Sequence, residues 1–126
     1  AEIDIMGEWP DIMGDPDQVQ SLFYYLLDNA IKFNDAKRPL TIQITLTTSE
    51  KSGFVNVTLE DNGIGIKRRY FHKVFDVFKR LHAKHEYHGT GIGLSICRKI
   101  VKKHGGDIWL DSEYGKGTSF YFTIKK

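Results

Sequence analysis

Three short blocks of the sequence combine residue types that bind nucleotides. In chain order they are Asn29-Ala30-Ile31-Lys32-Phe33, Asp61-Asn62-Gly63-Ile64-Gly65 and Gly89-Thr90-Gly91-Ile92-Gly93-Leu94-Ser95. The first offers an amide oxygen that can hold a hard metal ion, and the second offers a carboxylate beside backbone that side chains leave uncovered. The third offers a run of backbone N–H groups at the start of a helix. Together the blocks predict a nucleotide pocket.

Asp61 is the residue that could select the base. The glycines after it let a flat ring approach the backbone, and its carboxylate can accept a hydrogen bond. Adenine carries an exocyclic amine where guanine carries a carbonyl, so an acceptor favours ATP over GTP. The alternative interpretation is an Asp-Asn-Gly turn that joins a strand to a helix.

The glycines of the third block predict where the phosphates lie. Gly89, Gly91 and Gly93 precede a helix whose unpaired N–H groups and dipole suit phosphate oxygens. Neither the P-loop pattern nor the dinucleotide glycine pattern occurs, because Gly115-Lys116 lies in a predicted hairpin and is followed by Gly117. The hinges of a flexible lid would give the same glycine pattern.

Asn29 is the candidate ligand for Mg²⁺, an ion that uses few protein oxygens besides phosphates and water. Lys32 lies on the same polar helix face, together with Tyr25. The alternatives are an asparagine on a helix surface and a solvated lysine.

The elements that must position these residues follow from hydrophobic periodicity. Asp15 as N-cap, Pro16 at the first helical position and Gln18 completing a capping box predict a long helix through the first block. We expect an α/β (α+β) two-layer sandwich, in which three helices cover one face of a mixed, largely antiparallel five-stranded sheet. Strands are predicted at 3–6, 40–47, 54–60, 107–111 and 119–124, a short helix at 66–74, a lid at 76–89 and a second long helix at 92–103.

Length and charge limit the class of protein. The 126 residues suit one compact domain, residues 1–126, and the net charge of +2 gives no sign of a nucleic-acid or membrane surface. No apolar run is long enough to span a bilayer and no signal peptide is visible. A single cysteine, Cys97, in an apolar helix pattern is expected to be buried and reduced, which fits the cytoplasm. The start at Ala1 suggests a fragment of a longer protein, whose parent could carry a membrane anchor.

Four motifs in order resemble the N, G1, F and G2 boxes of sensor histidine kinases. They are the first block, the second block, Phe75-Asp76-Val77-Phe78 and Gly89-Thr90-Gly91-Ile92-Gly93-Leu94. The chain is identified by this resemblance as a catalytic and ATP-binding domain with the Bergerat-type fold of the GHKL superfamily, which includes gyrase, the heat-shock chaperone ATPase and the MutL proteins. The stretch from Phe78 to His82 most resembles phytochrome-like and hybrid kinases.

The resemblance implies a role for each residue of the pocket. Asp61 would read adenine, Asn29 would hold Mg²⁺ and Lys32 would approach the phosphates. The base would be lined by Phe33, Gly63, Gly65 and Ile66, and Thr118 would lie near Asp61. The triphosphate would be covered by Gly89, Thr90, Gly91, Gly93 and Leu94, and it would be contacted by Arg80 or Lys79. The lid would be held by Phe75 and Phe78.

By the same resemblance, the domain is the protein-histidine kinase module of a two-component signal transduction system. It would bind Mg·ATP and transfer the γ-phosphate to a histidine on a separate dimerisation domain, from which a response regulator takes it. We expect no nucleic-acid partner and no direct membrane contact, and we expect the isolated domain to be monomeric. His85-Glu86 is not expected to be the acceptor, and His82, His85 and His88 are interpreted as a solvated lid rather than a metal site.

One position departs from the family pattern. The family usually has a second asparagine four residues before Asn29, where this chain has Tyr25. Gyrase-type relatives use a glutamate base there, and a phenol is a poor base at neutral pH, so efficient ATP hydrolysis is not expected. Tyr25 motivates an alternative, a degenerate nucleotide-binding or interaction module with weak or no kinase activity. A serine-directed kinase of the anti-sigma type is a third, less favoured class.

Overall fold

A computed structural model describes residues 2–7, 15–32, 39–48, 53–71, 74–75 and 93–125 of the chain. Five strands form one sheet: β1 (Glu2–Met6), β2 (Thr41–Thr48), β3 (Phe54–Asp61), β4 (Ile108–Glu113) and β5 (Gly117–Lys125). Two α-helices, α1 (Pro16–Lys32) and α2 (Gly93–Lys103), are present in these ranges. Neither helix is long and apolar enough to cross a membrane.

The sheet has the order β1-β2-β3-β5-β4. β1 runs parallel to β2, and every other neighbouring pair is antiparallel. The mixed, largely antiparallel five-stranded sheet is therefore confirmed. Each of the two hairpins has a glycine with a positive φ beside its strands. Gly53 precedes β3 in the first hairpin, and Gly115 lies between β4 and β5 in the second.

The helices cover one face of the sheet, as the alternation of buried residues shows. In β5 every second residue is buried, from Thr118 to Ile124, and β3 alternates in the same way. α1 buries Leu22, Leu26 and Ala30 at helical spacing against this face. The two-layer sandwich is confirmed, with its core between the two helices and the strands.

α1 and α2 pack against each other in opposite directions. At one end the His104 imidazole joins them: Nδ1–H donates to the Ile100 carbonyl (2.8 Å), and Nε2 accepts from the Asp15 backbone N–H (3.3 Å). This pair of partners requires the neutral imidazole with its proton on Nδ1. Further along, the Cys97 thiol lies 3.7 Å from the Leu22 carbonyl, and burial raises the pKa of Cys97 to about 12.

The start of α1 is only partly as predicted. Asp15 caps the helix, because its Oδ1 accepts from the Asp17 N–H (2.9 Å). The expected capping box with Gln18 is wrong: the Asp15 N–H donates to His104, and Gln18 Oε1 is buried without a hydrogen-bond partner among the described residues. A contact from the far end of α2 has replaced the local one.

The predicted short helix at 66–74 is also wrong in extent. The structure has a three-residue 3₁₀ helix there, Arg68–Tyr70, followed by a turn at Phe71. Lys67 precedes it in an extended conformation and supplies no side-chain capping hydrogen bond, and the first turn has no acidic residue. Two adjacent arginines therefore begin a helix that lacks a side-chain cap and an acidic first turn. The predicted lid at 76–89 lies outside the described residues.

Candidate functional site

Three polar side chains form a row across three neighbouring strands. Asp61 at the end of β3 pairs in register with Thr118 of β5, and Thr118 pairs with Ser112 of β4. All three lie on the helix-covered side, because they continue the alternation of Leu59, Phe120 and Leu110 in their strands. The row is thus a polar rim at the end of an otherwise apolar surface.

The Asp61 carboxylate is fixed by two backbone groups. Its Oδ1 accepts from the Gly63 N–H (2.9 Å) and from the Thr118 N–H (3.3 Å). Burial raises the pKa of Asp61, and the hydrogen bonds from Gly63 and Thr118 oppose that shift by favouring the charged form. Among the residues described, none donates to Oδ2. A half-buried acceptor with one oxygen fixed and one available suits a ligand that donates a hydrogen bond.

The loop after Asp61 is held against the turn between β4 and β5. The Ile66 N–H donates to Ser112 Oγ (2.7 Å), and the Gly115 N–H donates to the Ile64 carbonyl (2.6 Å). Gly65 has φ +83°, and a Cβ on it would lie 2.4 Å from the Glu113 carbonyl oxygen. Gly65 is therefore needed for the approach of two backbone segments, whereas the sequence analysis gave it the role of admitting the ring.

Asn62 and Gly117 complete this arrangement, and the sequence analysis assigned neither to the site. Asn62 joins the loop to the start of β2, since Oδ1 accepts from the Thr41 N–H (2.8 Å) and Nδ2 donates to the Pro39 carbonyl (2.9 Å). Gly117 has φ +147°, and a Cβ there would lie 2.0 Å from the Asp61 carbonyl oxygen. The absence of a side chain at Gly117 lets β5 approach Asp61.

The polar face of α1 meets the start of α2. Tyr25 is half-buried, and a Cβ on Gly93 would lie 3.2 Å from its ring. Asn29, one turn further along α1, is also half-buried. Lys32 is exposed, with Nζ 3.0 Å from Asp28 Oδ2. The structure therefore places the first block beside the end of the third block.

The apolar residues of the predicted site belong to the core. Phe75 is buried and meets Phe120 edge-on, with ring centroids 6.2 Å apart and an interplanar angle of 78°. Ile66 is buried, and Leu94 packs against the core from the first turn of α2. The predicted site residues that lie outside the described ranges are Phe33, Phe78, Lys79, Arg80, Gly89, Thr90 and Gly91.

A cavity of about 470 Å³ opens at the same end of the sheet, and Asp61, Ser112 and Thr118 contribute to its lining. The lining also includes three carboxylates, Glu60, Asp111 and Glu113. Glu60 and Asp111 fall on the sheet face that the helices do not cover, by strand alternation. Lys116 also lines the cavity, with its Nζ 3.5 Å from Glu113 Oε1, so the lining carries charges of both signs.

Similarity to known proteins extends over nearly the whole chain. Residues 14–126 match the family described as histidine kinase-, DNA gyrase B- and HSP90-like ATPase. The chain is 42% identical over 124 residues to the phytochrome-like protein Cph1 of Synechocystis sp., covering 98% of this chain and 16% of Cph1. It is 40% identical over 123 residues to the adaptive-response sensory kinase SasA of a Synechococcus strain, covering 98% of this chain and 32% of SasA.

Two solved structures have the same fold over 98% of the chain. The mycobacterial sensor histidine kinase MprB superposes with a TM-score of 0.80 at 26% identity, and 80% of that chain is covered. The catalytic domain of the histidine kinase ThkA superposes with a TM-score of 0.74 at 30% identity, and 79% of that chain is covered. Both likenesses agree with the mixed sheet and the helix layer described above.

Proposed function

The chain belongs to the family of histidine kinase-, DNA gyrase B- and HSP90-like ATPases, and we propose that it is the ATP-binding catalytic domain of a sensor histidine kinase. The row of Asp61, Thr118 and Ser112, with Asp61 Oδ1 fixed by two N–H groups, is the observation that carries the proposal. Such a row supplies acceptors at the polar rim of an apolar surface, which is the environment that an adenine ring requires.

The residues of α1 fit a magnesium ion by the chemistry of their donors. Asn29 offers a neutral hard oxygen, and the adjacent Asp28 carboxylate is already paired with Lys32. Mg²⁺ commonly takes one or two protein oxygens and completes its shell with phosphate and water. When bound, the ion would neutralise charge on the phosphates. Lys32, which is exposed beside Asn29, would add a second positive charge toward the phosphates.

The reaction that this site supports is phosphoryl transfer to an imidazole that another domain supplies. The imidazole nitrogen would form a bond to the γ-phosphorus, the bond from phosphorus to the β–γ bridging oxygen would break, and ADP would leave. The chain contributes positioning and charge, and the attacking nitrogen comes from the other domain. Tyr25 fits this assignment, because a phenol does not activate water at neutral pH.

The partners follow from that reaction. We propose residues 1–126 as one catalytic domain, monomeric in isolation, that acts on the dimerisation and phosphoacceptor domain of its parent, which in turn supplies a response regulator. We place the domain in the cytoplasm, where ATP is available and a reduced buried cysteine is expected. The chain spans 16% of Cph1 and 32% of SasA, so most of such a parent would lie outside this sequence.

The test is transfer of labelled γ-phosphate from ATP to an isolated acceptor hairpin from a phytochrome-like kinase. We expect a phosphoprotein that loses its label in acid, since phosphohistidine is acid-labile and phosphoserine is not. Asp61→Asn should abolish most of the label, and Thr58→Val, a change on the opposite face of the sheet, should leave it intact. Tight ATP binding without any transfer would contradict the kinase assignment.

A further inference from the structure

Ser112 makes three hydrogen-bond contacts at the edge of the proposed adenine site. Its Oγ lies 2.7 Å from the Ile66 nitrogen, 2.8 Å from the Gly117 carbonyl oxygen and 2.8 Å from Thr118 Oγ1. Ser112 is half-buried and Thr118 is buried, with 6% of its surface exposed. The resemblance placed Thr118 near Asp61 but assigned it none of these bonds, and Ser112 was absent from the predicted site.

The three contacts can exist together in only one arrangement of protons. A backbone N–H only donates, so Ser112 accepts from Ile66; a carbonyl oxygen only accepts, so Ser112 must donate its single proton to Gly117. Ser112 then has no proton left for Thr118. The contact between the two hydroxyls forms only when Thr118 donates to Ser112.

This arrangement decides what Thr118 can offer to a ligand. Its hydroxyl proton is directed to Ser112, so Oγ1 retains only lone pairs for any other partner. The backbone N–H of the same residue donates to Asp61 Oδ1 and thereby holds the carboxylate beside it. Two acceptors, Thr118 Oγ1 and the Asp61 carboxylate, therefore stand side by side with no hydroxyl donor between them.

We infer that Ser112 is a specificity-determining positioning residue, which makes the adenine site acceptor-only by fixing the Thr118 hydroxyl. The inference rests on the proposed function and adds a reason for base choice. At position 6 of the purine, adenine presents an amine with two hydrogens to such a pair, whereas guanine presents there a carbonyl oxygen that would meet two acceptors. A free Thr118 hydroxyl could turn its proton toward that carbonyl, and Ser112 prevents the turn.

The test measures the preference for ATP over GTP by titration calorimetry on the complete chain. Wild type is expected to prefer ATP by roughly 100-fold or more, because a site with mismatched buried polar groups rejects the wrong ligand strongly. Ser112→Ala should reduce this preference by about tenfold. Thr118→Val should reduce it similarly, and adding Ser112→Ala to Thr118→Val should change it no further. Thr58→Val, a threonine on the opposite face of β3, is the matched control and should keep the wild-type preference.

A purely structural role for Ser112 gives a different result. Loss of its bonds to Ile66 and Gly117 would loosen the loop and weaken ATP and GTP binding equally, with the ratio unchanged. An unchanged ratio in a folded Ser112→Ala protein, or an equal effect of this change in the Thr118→Val background, would overturn the inference alone. If Ser112→Ala does not fold, Thr118→Val against Thr118→Ser decides: only the serine variant should retain the preference. A wild type that binds no adenosine nucleotide would overturn the proposed function as well.

Discussion

The close approach of β5 to Asp61 can be tested by a matched pair of substitutions, one at Gly117 and one at Gly115. Both lie at the β4–β5 turn and both have a positive φ, +147° and +91°. A Cβ on Gly115 would have no heavy atom within 4 Å, whereas a Cβ on Gly117 would lie 2.0 Å from the Asp61 carbonyl oxygen and 3.0 Å from Asn62 Cα. Both alanine variants place a side chain at a positive φ, and only the Gly117 variant adds a clash with backbone atoms.

The expected magnitudes follow from that difference. Alanine at a positive φ costs about 1 kcal/mol of folding free energy, which should be the whole effect at Gly115. At Gly117 carbon and oxygen must separate to ordinary contact, so β5 has to move by more than about 1 Å. We expect about 2 to 3 kcal/mol of additional destabilisation at Gly117. The movement also weakens the bond from the Thr118 N–H to Asp61, so ATP affinity should fall by at least about tenfold.

The assay pairs urea unfolding of each alanine variant with titration of ATP. Gly115→Ala should bind ATP like wild type and unfold at a midpoint only slightly lower. Gly117→Ala should lose both stability and affinity, with a melting temperature lower by roughly 10 °C. Equal losses of stability in the two variants, or full ATP affinity in a folded Gly117→Ala protein, would refute the reasoning that the missing side chain is what seats Asp61.

Three further predictions concern single side chains. Asp61→Asn should weaken ATP binding at least about tenfold by calorimetry, and it should raise the melting temperature at neutral pH. Burial raises the pKa of Asp61 in the folded state, so the wild-type protein loses folding free energy as pH rises above 3.8, the pKa of this carboxyl in the unfolded chain. The gain in melting temperature of Asp61→Asn should therefore shrink in acid. A gain that does not depend on pH would contradict this prediction. Cys97, with a pKa of about 12, should resist thiol reagents at pH 8 until urea unfolds the chain, and rapid labelling of the native protein would count against its burial. Tyr25→Asn should increase transfer to an acceptor hairpin at fixed Mg²⁺, because it adds a hard oxygen one turn from Asn29; unchanged labelling would show that Tyr25 does not limit the reaction.

The sequence allowed the sheet to be predicted well because its strands alternate clearly. The strand predicted at 40–47 is shifted by one residue at each end from β2, and the strand predicted at 54–60 ends one residue before β3 does. Alternation is a local property, and the central strands β3 and β5 each have one buried face to produce it, whereas every residue of β1 is exposed. The family resemblance came from motifs that are equally local, and the match over residues 14–126 confirms it.

The errors and omissions arose from contacts between distant parts of the chain. The capping box failed because the Asp15 N–H donates to His104, a residue 89 positions away. Ser112 and Gly117 were missed because their importance depends on the register of β4, β5 and β3, which no single segment contains. One signal was available. Ser112 is two residues after Leu110 in the same strand, so its side chain lies on the same, helix-covered face of the sheet as Thr118.

The bond between His104 and Asp15 has a mechanical consequence. It ties the first residue before α1 to the last turn after α2, at the end of the helix pair farthest from Gly93 and Tyr25. The hydrogen bond therefore holds α1 and α2 together at this end of the pair. The bond at this end and the contact of Cys97 with the Leu22 carbonyl fix the alignment of the two helices, while the residues proposed to face the phosphates lie at the opposite end of the pair.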